Sequence, residues 1–397
     1  MEIDKNRELK QTKTVICFID WYSPGYKAGG ITTAFVNFVA QMKEYYFFYI
    51  ITRNNDYTED TPYKDVESNT WVKVNENEHV CYVSSDFVTS QHIKRIVKEV
   101  QFDFIYINGI YSYWFSLFPA FIFRKHTGIV INPHGMLSQH AIAVKSFKKD
   151  IFIKLANLIK LYKNVTFHVA DDAEANAVAN QIKYYKEIKI AFQFPRKVSE
   201  VIKNTNREKE PLSLNLLCIA RIAPEKNIHY ILEILEKCTN KVQLDLYGPV
   251  YNEEYWKQCK AIINRLPGNI VVDYKGSIES NKVIEAIPGY HFMFMPSTGE
   301  NFGHVILEAL QTGTPVIISD RTPWRNLQEV RSMKDEERSD ERVPGNKDLK
   351  QNKTYEGNSG VGWDIPLENP ERFVEVIEYC AAMGQEEYHA MSRRAFE

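Results

Sequence analysis

Apolar and polar positions follow two rhythms along the chain. Runs such as residues 14–19, 46–51 and 102–107 are short, continuous and rich in β-branched and aromatic residues, which predicts strands buried on both faces. Stretches such as residues 31–43 and 91–100 show the spacing of amphipathic helices. Strands that alternate with helices predict a parallel sheet covered by helices on both faces.

The same alternation begins again in the second half of the chain. Strand-like runs, from residues 214–220 to 291–295, are each followed by a helical pattern, and the charged residues 196–212 before them read as a linker. We therefore predict two doubly wound α/β domains, residues 1–195 and 213–385, with a cleft between them. Ligands of such sheets bind beyond the carboxyl ends of the strands, so we expect the binding residues on the loops that follow strands.

Composition excludes several classes of protein. The chain has 397 residues, 44% hydrophobic and 25% charged, with a formal net charge of −2, which predicts globular domains with a core each. A pI of about 6.6 argues against a broad basic surface, so we expect no nucleic-acid partner. The N-terminus lacks a secretory pattern, and the best apolar stretch, residues 113–123, is too short to span a bilayer.

The six cysteines are scattered, without the close spacing of a zinc site or a redox motif. Cys17, Cys81 and Cys218 lie inside predicted strands, where a free thiol behaves as a small buried hydrophobe. We predict structural roles for the cysteines and a cytoplasmic location.

An irregular stretch, residues 331–359, carries mixed charge and turn-forming residues. It is predicted to be a solvated surface insertion, with a partner-binding loop as the alternative.

The most informative motif is Ser-Thr-Gly-Glu-Asn-Phe-Gly, residues 297–303, which directly follows a predicted strand. Gly299 and Gly303 are expected to let the chain turn tightly, and a helix that begins near Gly303 would point its positive end at a phosphate or sugar oxygen. Glu300 precedes this helix, and Glu308 lies within it, where a carboxylate could accept hydrogen bonds from the vicinal hydroxyls of a ribose.

Two cations flank another turn between a strand and a helix. Arg221 offers a planar fork of donors and Lys226 a mobile point charge, which suits a departing diphosphate. Taken alone, such a pair is more often a solvated helix start.

Near the N-terminus, Gly29 and Gly30 lie between the first strand and the first helix, where loop amides could approach a phosphate. The three-glycine dinucleotide fingerprint is missing, which argues against a nicotinamide or flavin enzyme. His134 lies between proline and glycine after another strand, where it is well placed to face a ligand.

The stretch of residues 145–163 combines lysines with apolar residues at helical spacing. One stripe is predicted from the apolar residues 151, 152, 155, 158, 159 and 162, beside a strip of lysines at Lys145, Lys149, Lys160 and Lys163. The stripe either packs on the sheet and leaves a solvated basic edge, or the patch rests on an anionic membrane.

Residues 297–324 closely resemble the donor-site motif of the retaining glycosyltransferases of family 4. The family pattern places two glutamates with seven residues between them and Phe-Gly inside, and Glu300, Phe302, Gly303 and Glu308 stand at the matching places. The resemblance implies the GT-B fold, in which two facing Rossmann-like domains hold the active site in an interdomain cleft. It also implies that residues 386–397 start a C-terminal helix that returns toward the first domain.

The resemblance implies transfer of a sugar from a nucleoside diphosphate sugar to an acceptor hydroxyl with retention, as in a hexosyltransferase. The acceptor would be a saccharide or lipid-linked saccharide of bacterial surface polysaccharide or glycolipid synthesis, and the enzyme would work in the cytoplasm or at the inner membrane face. The implied catalytic residues are His134, Arg221, Lys226 and Glu300, and the implied donor-binding residues are Gly29, Gly30, Asn301, Phe302, Gly303 and Glu308.

No Asp-x-Asp motif stands on a predicted post-strand loop, so we expect no metal and no cofactor besides the donor. Two alternatives stay open: a GT-B epimerase or phosphorylase, and a non-catalytic subunit that binds sugar nucleotides.

Overall fold

A computed structural model describes residues 13–138, 146–197, 208–328 and 360–396. The chain divides into two compact units, Met1–Lys197 and Val198–Glu397. The predicted insertion at residues 331–359 lies outside the described residues, and so does most of the predicted linker.

The N-terminal unit is built on an eight-stranded sheet in the order β3-β4-β2-β1-β5-β6-β7-β8. Continuous apolar runs form its centre, because strands covered on both faces have no solvent side to keep polar. All neighbouring strands are parallel except β3 and β4, which form an antiparallel edge. The strands are β1 Lys13–Phe18, β2 Tyr46–Arg53, β3 Trp71–Asn75, β4 Glu78–Val83, β5 Phe104–Asn108, β6 Ile129–Asn132, β7 Val165–Val169 and β8 Glu187–Ile190.

Helices connect these strands, as the alternation predicts. The side chains of Thr89 and Asp171 accept hydrogen bonds from the first turns of α2 and α5 and so fix where those helices begin. The helices of this unit are α1 Gly30–Met42, α2 Ser90–Lys98, α3 Phe118–Ile122, α4 Ser146–Leu158 and α5 Asp172–Gln181.

The C-terminal unit contains a six-stranded sheet in the order β11-β10-β9-β12-β13-β14, with every described neighbour parallel. Both units are therefore doubly wound α/β domains, as predicted. The strands are β9 Ser213–Ile219, β10 Lys241–Tyr247, β11 Ile270–Gly276, β12 Phe292–Met295, β13 Val316–Ser319 and β14 Gly362–Ile365. The helices are α6 Ile228–Leu235, α7 Glu253–Ile263, α8 Ser280–Ala286, α9 His304–Gln311, α10 Pro370–Ala382 and α11 Gln385–Phe396.

The last helix, α11, packs on the C-terminal unit. Tyr388 is fully buried in the core, and its hydroxyl donates to the carbonyl oxygen of His291. Ser392 donates to the carbonyl oxygen of Gly313. The end of the predicted linker is held here too, because the Lys209 ammonium donates to the carbonyl oxygen of Ala381 at 2.7 Å.

All six cysteines are free and buried, in agreement with their predicted structural roles. Among the described residues, no helix combines the length and the apolar character that crossing a membrane requires.

Of the two predicted outcomes for the apolar stripe at residues 145–163, packing of the whole stripe on the sheet is wrong. Ile153 and Ala156 face the core of the N-terminal unit, whereas Leu155 and Leu158 are 53% and 78% exposed. Residues two apart on a helix lie about 200° apart, so these two pairs occupy opposite sides of α4. The helix ends at Leu158 and Lys160 has a left-handed φ of 52°, so the helical spacing does not extend to Tyr162, which enters the core.

Candidate active site

The strand order of the C-terminal unit reverses between β9 and β12, which are direct neighbours. The connections that follow two such strands run to opposite faces of the sheet and leave a crevice at their carboxyl ends, the usual ligand site of this architecture. The loop after β9 carries Arg221 and Lys226, and the loop after β12 carries Glu300. The fold thus brings three of the four predicted catalytic residues to one sheet edge.

Hydrogen bonds tie these two loops together. The amide of Thr298 donates to the carbonyl oxygen of Glu225 at 3.0 Å, and the Asn227 side chain donates to that of Pro296 at 3.1 Å. Asn227 caps α6 in the left-handed conformation, which asparagine tolerates better than most residues. The spacing between the loops is therefore fixed by the protein itself.

Lys226 and Glu300 form an ion pair in this crevice. The Nζ of Lys226 lies 2.5 Å from Oε1 of Glu300, and the two side chains are only 14% and 11% exposed. The amide of Glu300 donates to the carbonyl oxygen of Arg321. A cation and a carboxylate, both shielded from water, thus stand side by side where a ligand would bind.

Arg221 is held on the same loop by different partners. Its Nη2 lies 3.4 Å from a carboxylate oxygen of Glu225, and its guanidinium stacks 4.8 Å from the ring centroid of Tyr251. Tyr251 follows β10, and its amide donates to the carbonyl oxygen of Ile222. Sequence reasoning missed Tyr251, because nothing in the sequence indicates that the loops after β9 and β10 meet.

The turn that leads into α9 depends on Gly303. This residue caps the helix with φ of 79°, and an added Cβ would lie 2.8 Å from the side chain of Ile306. The Trp324 indole donates to the carbonyl oxygen of Phe302 at 2.6 Å and packs edge-on against its ring. The predicted start of the helix at Gly303 is confirmed, and Trp324 buttresses it.

Gly299 is different, because its position does not require glycine. Its φ lies outside the left-handed region, and a Cβ would meet no atom within 4 Å. The neighbouring Asn301 is exposed on the loop. Glu308, in the second turn of α9, is 5% exposed.

The thiol nearest to this ion pair in the sequence is not a nucleophile. Burial raises the pKa of Cys218, on β9, to about 12. The charge of Lys226 lowers this pKa slightly and that of Glu300 raises it slightly. The thiol therefore stays protonated and belongs to the core.

In the N-terminal unit the strand order reverses between β1 and β5, and such a place of reversal is called the switch point of a sheet. Gly29 caps α1 with φ of 83° and ψ of −146°, a conformation that excludes other residues, and α1 begins at Gly30. The loop before them is anchored by Asp56, which accepts from the amides of Tyr26 and Lys27. Asp56 follows β2, and its role could not be read from the sequence.

His134 lies after β6 in a turn with positive φ and is 6% exposed. Its Nε2 lies 2.9 Å from Oδ1 of Asn108. The Asn108 side-chain amide donates to the carbonyl oxygen of Phe18, so Oδ1 is the acceptor and Nε2 of His134 carries a proton. The His134 amide donates to Oδ1 of Asn132. Asn108, which ends β5, therefore orients the imidazole, and Asn132, which ends β6, holds the backbone of the turn.

Glu174 supports the same turn from α5. Its carboxylate accepts from the amides of Gly135 and Ala170. Burial raises the pKa of Glu174, and those two hydrogen bonds oppose the shift. No sequence motif pointed to Glu174 or Asn108.

Within the part of the chain that the structure describes, no three His, Cys, Asp or Glu side chains group as a metal site.

Comparisons with known proteins give a family match in the second half of the chain. Residues 200–327 match the family model of glycosyl transferases group 1, a stretch that contains Arg221, Lys226, Glu300 and Glu308. A curated relative, described as an uncharacterized 41.2 kDa protein in the cps region of Klebsiella pneumoniae, is 22% identical over 239 residues. That similarity covers 57% of this chain and 63% of the relative.

Solved structures define the fold as GT-B. Alr3699/HepE of Anabaena, in complex with UDP and glucose, is similar with a TM-score of 0.63 at 14% identity, covering 97% of this chain and 94% of that one. WaaG, a glycosyltransferase involved in lipopolysaccharide biosynthesis, is similar with a TM-score of 0.58 at 13% identity, covering 96% and 94%. The trehalose-6-phosphate synthase OtsA is similar with a TM-score of 0.62 at 11% identity, covering 97% and 94%.

Proposed function

We propose that this chain is a glycosyltransferase that moves a sugar from a nucleoside diphosphate sugar to an acceptor hydroxyl. The observation that carries the proposal is the Lys226–Glu300 pair at the switch point of the C-terminal sheet, with Arg221 on the same loop. Cations beside a carboxylate suit a ligand that joins a diphosphate to a sugar, since the cations attract the phosphates and the carboxylate accepts from sugar hydroxyls.

Each site residue has a role in this proposal. Lys226 and Arg221 stabilise the diphosphate as it leaves with added negative charge. Glu300, with the amides of Phe302 and Gly303, positions the donor sugar. Glu308 binds the ribose.

The N-terminal unit contributes a second set of groups. His134 acts as a hydrogen-bonding and electrostatic residue, and the amides at Gly29 and Gly30 bind phosphate. Retention of the anomeric configuration, membership of family 4 and hexosyl transfer are part of the proposal and follow from the sequence resemblance.

No metal takes part, because protein cations supply the positive charge. Treatment with a chelator is therefore expected to leave turnover unchanged.

The donor and the setting are proposed from the relatives. HepE is described in complex with UDP and with UDP-glucose, so a uridine diphosphate sugar is the first donor to test. WaaG is described in lipopolysaccharide biosynthesis and the curated relative in a cps region, which supports a saccharide or lipid-linked acceptor in surface polysaccharide synthesis. We place the reaction in the cytoplasm at the inner face of the membrane, near Lys160 and Lys163. Of the other two lysines predicted for this contact, Lys149 is half-buried with its ammonium 5.2 Å from the ring centroid of Tyr111, and Lys145 lies outside the described residues.

Thermal-shift titration with UDP, GDP, ADP and their sugars tests the binding step. A ligand at 100 times its dissociation constant stabilises the folded state by about 2.7 kcal/mol, which is readily seen as a rise in Tm. We expect one nucleotide family to raise the Tm of the wild type and to do so much less with Lys226→Ala. No response to any nucleotide, or an equal response in the variant, would overturn the proposed donor site.

A further inference from the structure

Helix α4, Ser146–Leu158, exposes apolar residues along one side. Leu158 is 78% exposed and Phe147 is 76% exposed, values typical of a polar surface residue. Three more apolar residues, each at least half exposed, continue the same side of α4 and the residue after it. The full set is Phe147, Ile151, Leu155, Leu158 and Ile159, which we call the apolar face.

The spacing makes this face continuous. At about 100° per residue, the five positions fall within a sector of about 120°, and their sequence intervals are those of neighbours on a helix surface. Scattered exposed apolar residues need no explanation, whereas a contiguous strip marks an interaction surface.

Lysines border the apolar face. Lys154 is exposed at one edge of this face, Lys148 is exposed at its N-terminal end, and Lys160 and Lys163 are exposed just beyond its C-terminal end. Residues 146–163 contain five lysines and one acid, Asp150, although the whole chain has a net charge of −2. The positive charge is therefore concentrated around this helix.

This combination distinguishes a bilayer from a protein partner. The buried centres of protein interfaces are poor in lysine. A helix that lies in a membrane surface presents an apolar side to the acyl chains and lysines to the lipid headgroups. Lysine stems are long enough to follow the apolar surface while the ammonium groups reach anionic phosphates.

We propose that α4 is a membrane-docking helix that inserts its apolar face into the headgroup region of an anionic bilayer. The inference rests on exposure and charge alone and does not depend on the proposed glycosyl transfer. In this proposal the apolar face makes the main contact with the bilayer, and the lysines add electrostatic attraction around it. The helix would lie flat, with its apolar side chains about 5–10 Å deep.

Sedimentation with vesicles tests the docking. The wild type should sediment with phosphatidylcholine vesicles that contain phosphatidylglycerol, and much less with phosphatidylcholine alone. The double variant Lys154→Gln/Lys160→Gln should bind the anionic vesicles about tenfold or more weakly, since each lysine near the surface contributes on the order of 1 kcal/mol. Lys98→Gln, an exposed lysine on α2, is the matched control and should bind as the wild type does.

The apolar contribution needs its own variants. Leu155→Gln/Leu158→Gln should also reduce binding about tenfold or more, because it removes apolar area that leaves water. Val74→Gln, at a position 52% exposed on β3, is the matched control. Both positions on α4 are exposed, so circular dichroism and Tm should be unchanged and loss of binding cannot be attributed to unfolding.

A fluorescent probe reports insertion directly. All six native cysteines are buried, so Leu158→Cys can be labelled selectively with an environment-sensitive dye. Its emission should rise and shift to the blue with anionic vesicles, whereas a dye on Val74→Cys should not respond. Equal binding to neutral and anionic vesicles, unchanged binding of the leucine variant, or a lipid-free dimer that this variant abolishes would overturn the proposal.

Discussion

The Nζ of Lys226 lies 2.5 Å from Oε1 of Glu300, and both side chains are largely shielded from water. The two residues come from loops that follow neighbouring strands, and hydrogen bonds between those loops set their separation. In the proposed function, a diphosphate bound here would compete with Glu300 for the ammonium group. The pair would then keep the cation in place before the donor arrives and leave the carboxylate beside the sugar afterwards.

Lys226→Ala should lower turnover about 100-fold or more, the usual effect of removing a group that stabilises charge in the transition state. Lys237→Ala is a matched control, since Lys237 is 54% exposed and 3.9 Å from its partner Glu371. Steady-state kinetics with the identified donor measure both. Turnover of Lys226→Ala within twofold of the wild type would remove Lys226 from the mechanism.

Tyr251 should affect nucleotide binding through its ring. Its face stacks on the Arg221 guanidinium, an arrangement worth about 0.5–1 kcal/mol at a partly exposed site. Tyr251→Leu should therefore weaken nucleotide binding roughly two- to fivefold, whereas Tyr251→Phe should bind normally. Isothermal titration calorimetry with the nucleoside diphosphate measures the difference. Equal losses in both variants would assign the effect to the hydroxyl instead.

Asn108 should affect the catalytic rate through His134. Asn108→Ala removes the acceptor of the His134 Nε2 proton, so the imidazole loses its fixed orientation. We expect kcat to fall roughly tenfold, a loss within the range caused by misplacing a catalytic group. The KM for the donor should change little. Asn164→Ala, which removes a hydrogen bond to the carbonyl oxygen of Arg124, is the control. A fall in kcat of the same size in the control would indicate a general loss of structure.

Acidification should destabilise the N-terminal unit through His168. The imidazole Nδ1 lies 2.6 Å from the Tyr106 hydroxyl and Nε2 lies 3.1 Å from the carbonyl oxygen of Ala191, and burial lowers the pKa of His168 below 6.5. Below that pH the unfolded chain binds a proton that the folded chain does not, so stability is lost as the pH falls.

The loss from this residue is at most about 1.4 kcal/mol per pH unit. The variant His168→Gln should show a shallower decline between about pH 7.5 and about pH 5.5 in urea unfolding of the full chain. Identical declines in the two proteins would mean that His168 does not titrate differently on folding.

Sequence patterns revealed the site residues that follow strands directly. Arg221, Lys226 and Glu300 could be predicted because they stand on loops that follow predicted strands and because they match the motifs of the family that the sequence resembles. Tyr251 and Asn108 could not, since their importance comes from strand neighbours that the order along the chain does not specify. The edge strands of the sheet could not be predicted either, as the short, partly exposed strand β3 shows.

Helix α4 shows a different limit of sequence reading. Apolar residues cover about two thirds of the circumference of this segment, so helical spacing alone cannot tell the buried face from the exposed one. Ile153 and Ala156 face the core, whereas four residues of the predicted stripe, Ile151, Leu155, Leu158 and Ile159, are exposed, so the stripe as a whole does not pack on the sheet.

The most direct test of the central claim is the release of nucleoside diphosphate with and without an acceptor. The purified protein would be incubated with the donor found by thermal shift and a panel of saccharide and lipid-linked acceptors, and NMR would follow the anomeric configuration of the product. We predict free nucleoside diphosphate only when an acceptor is present, in equal amount to a glycoside that keeps the donor's configuration. Release at the same rate without any acceptor, or donor binding with no release across the whole panel, would contradict glycosyl transfer.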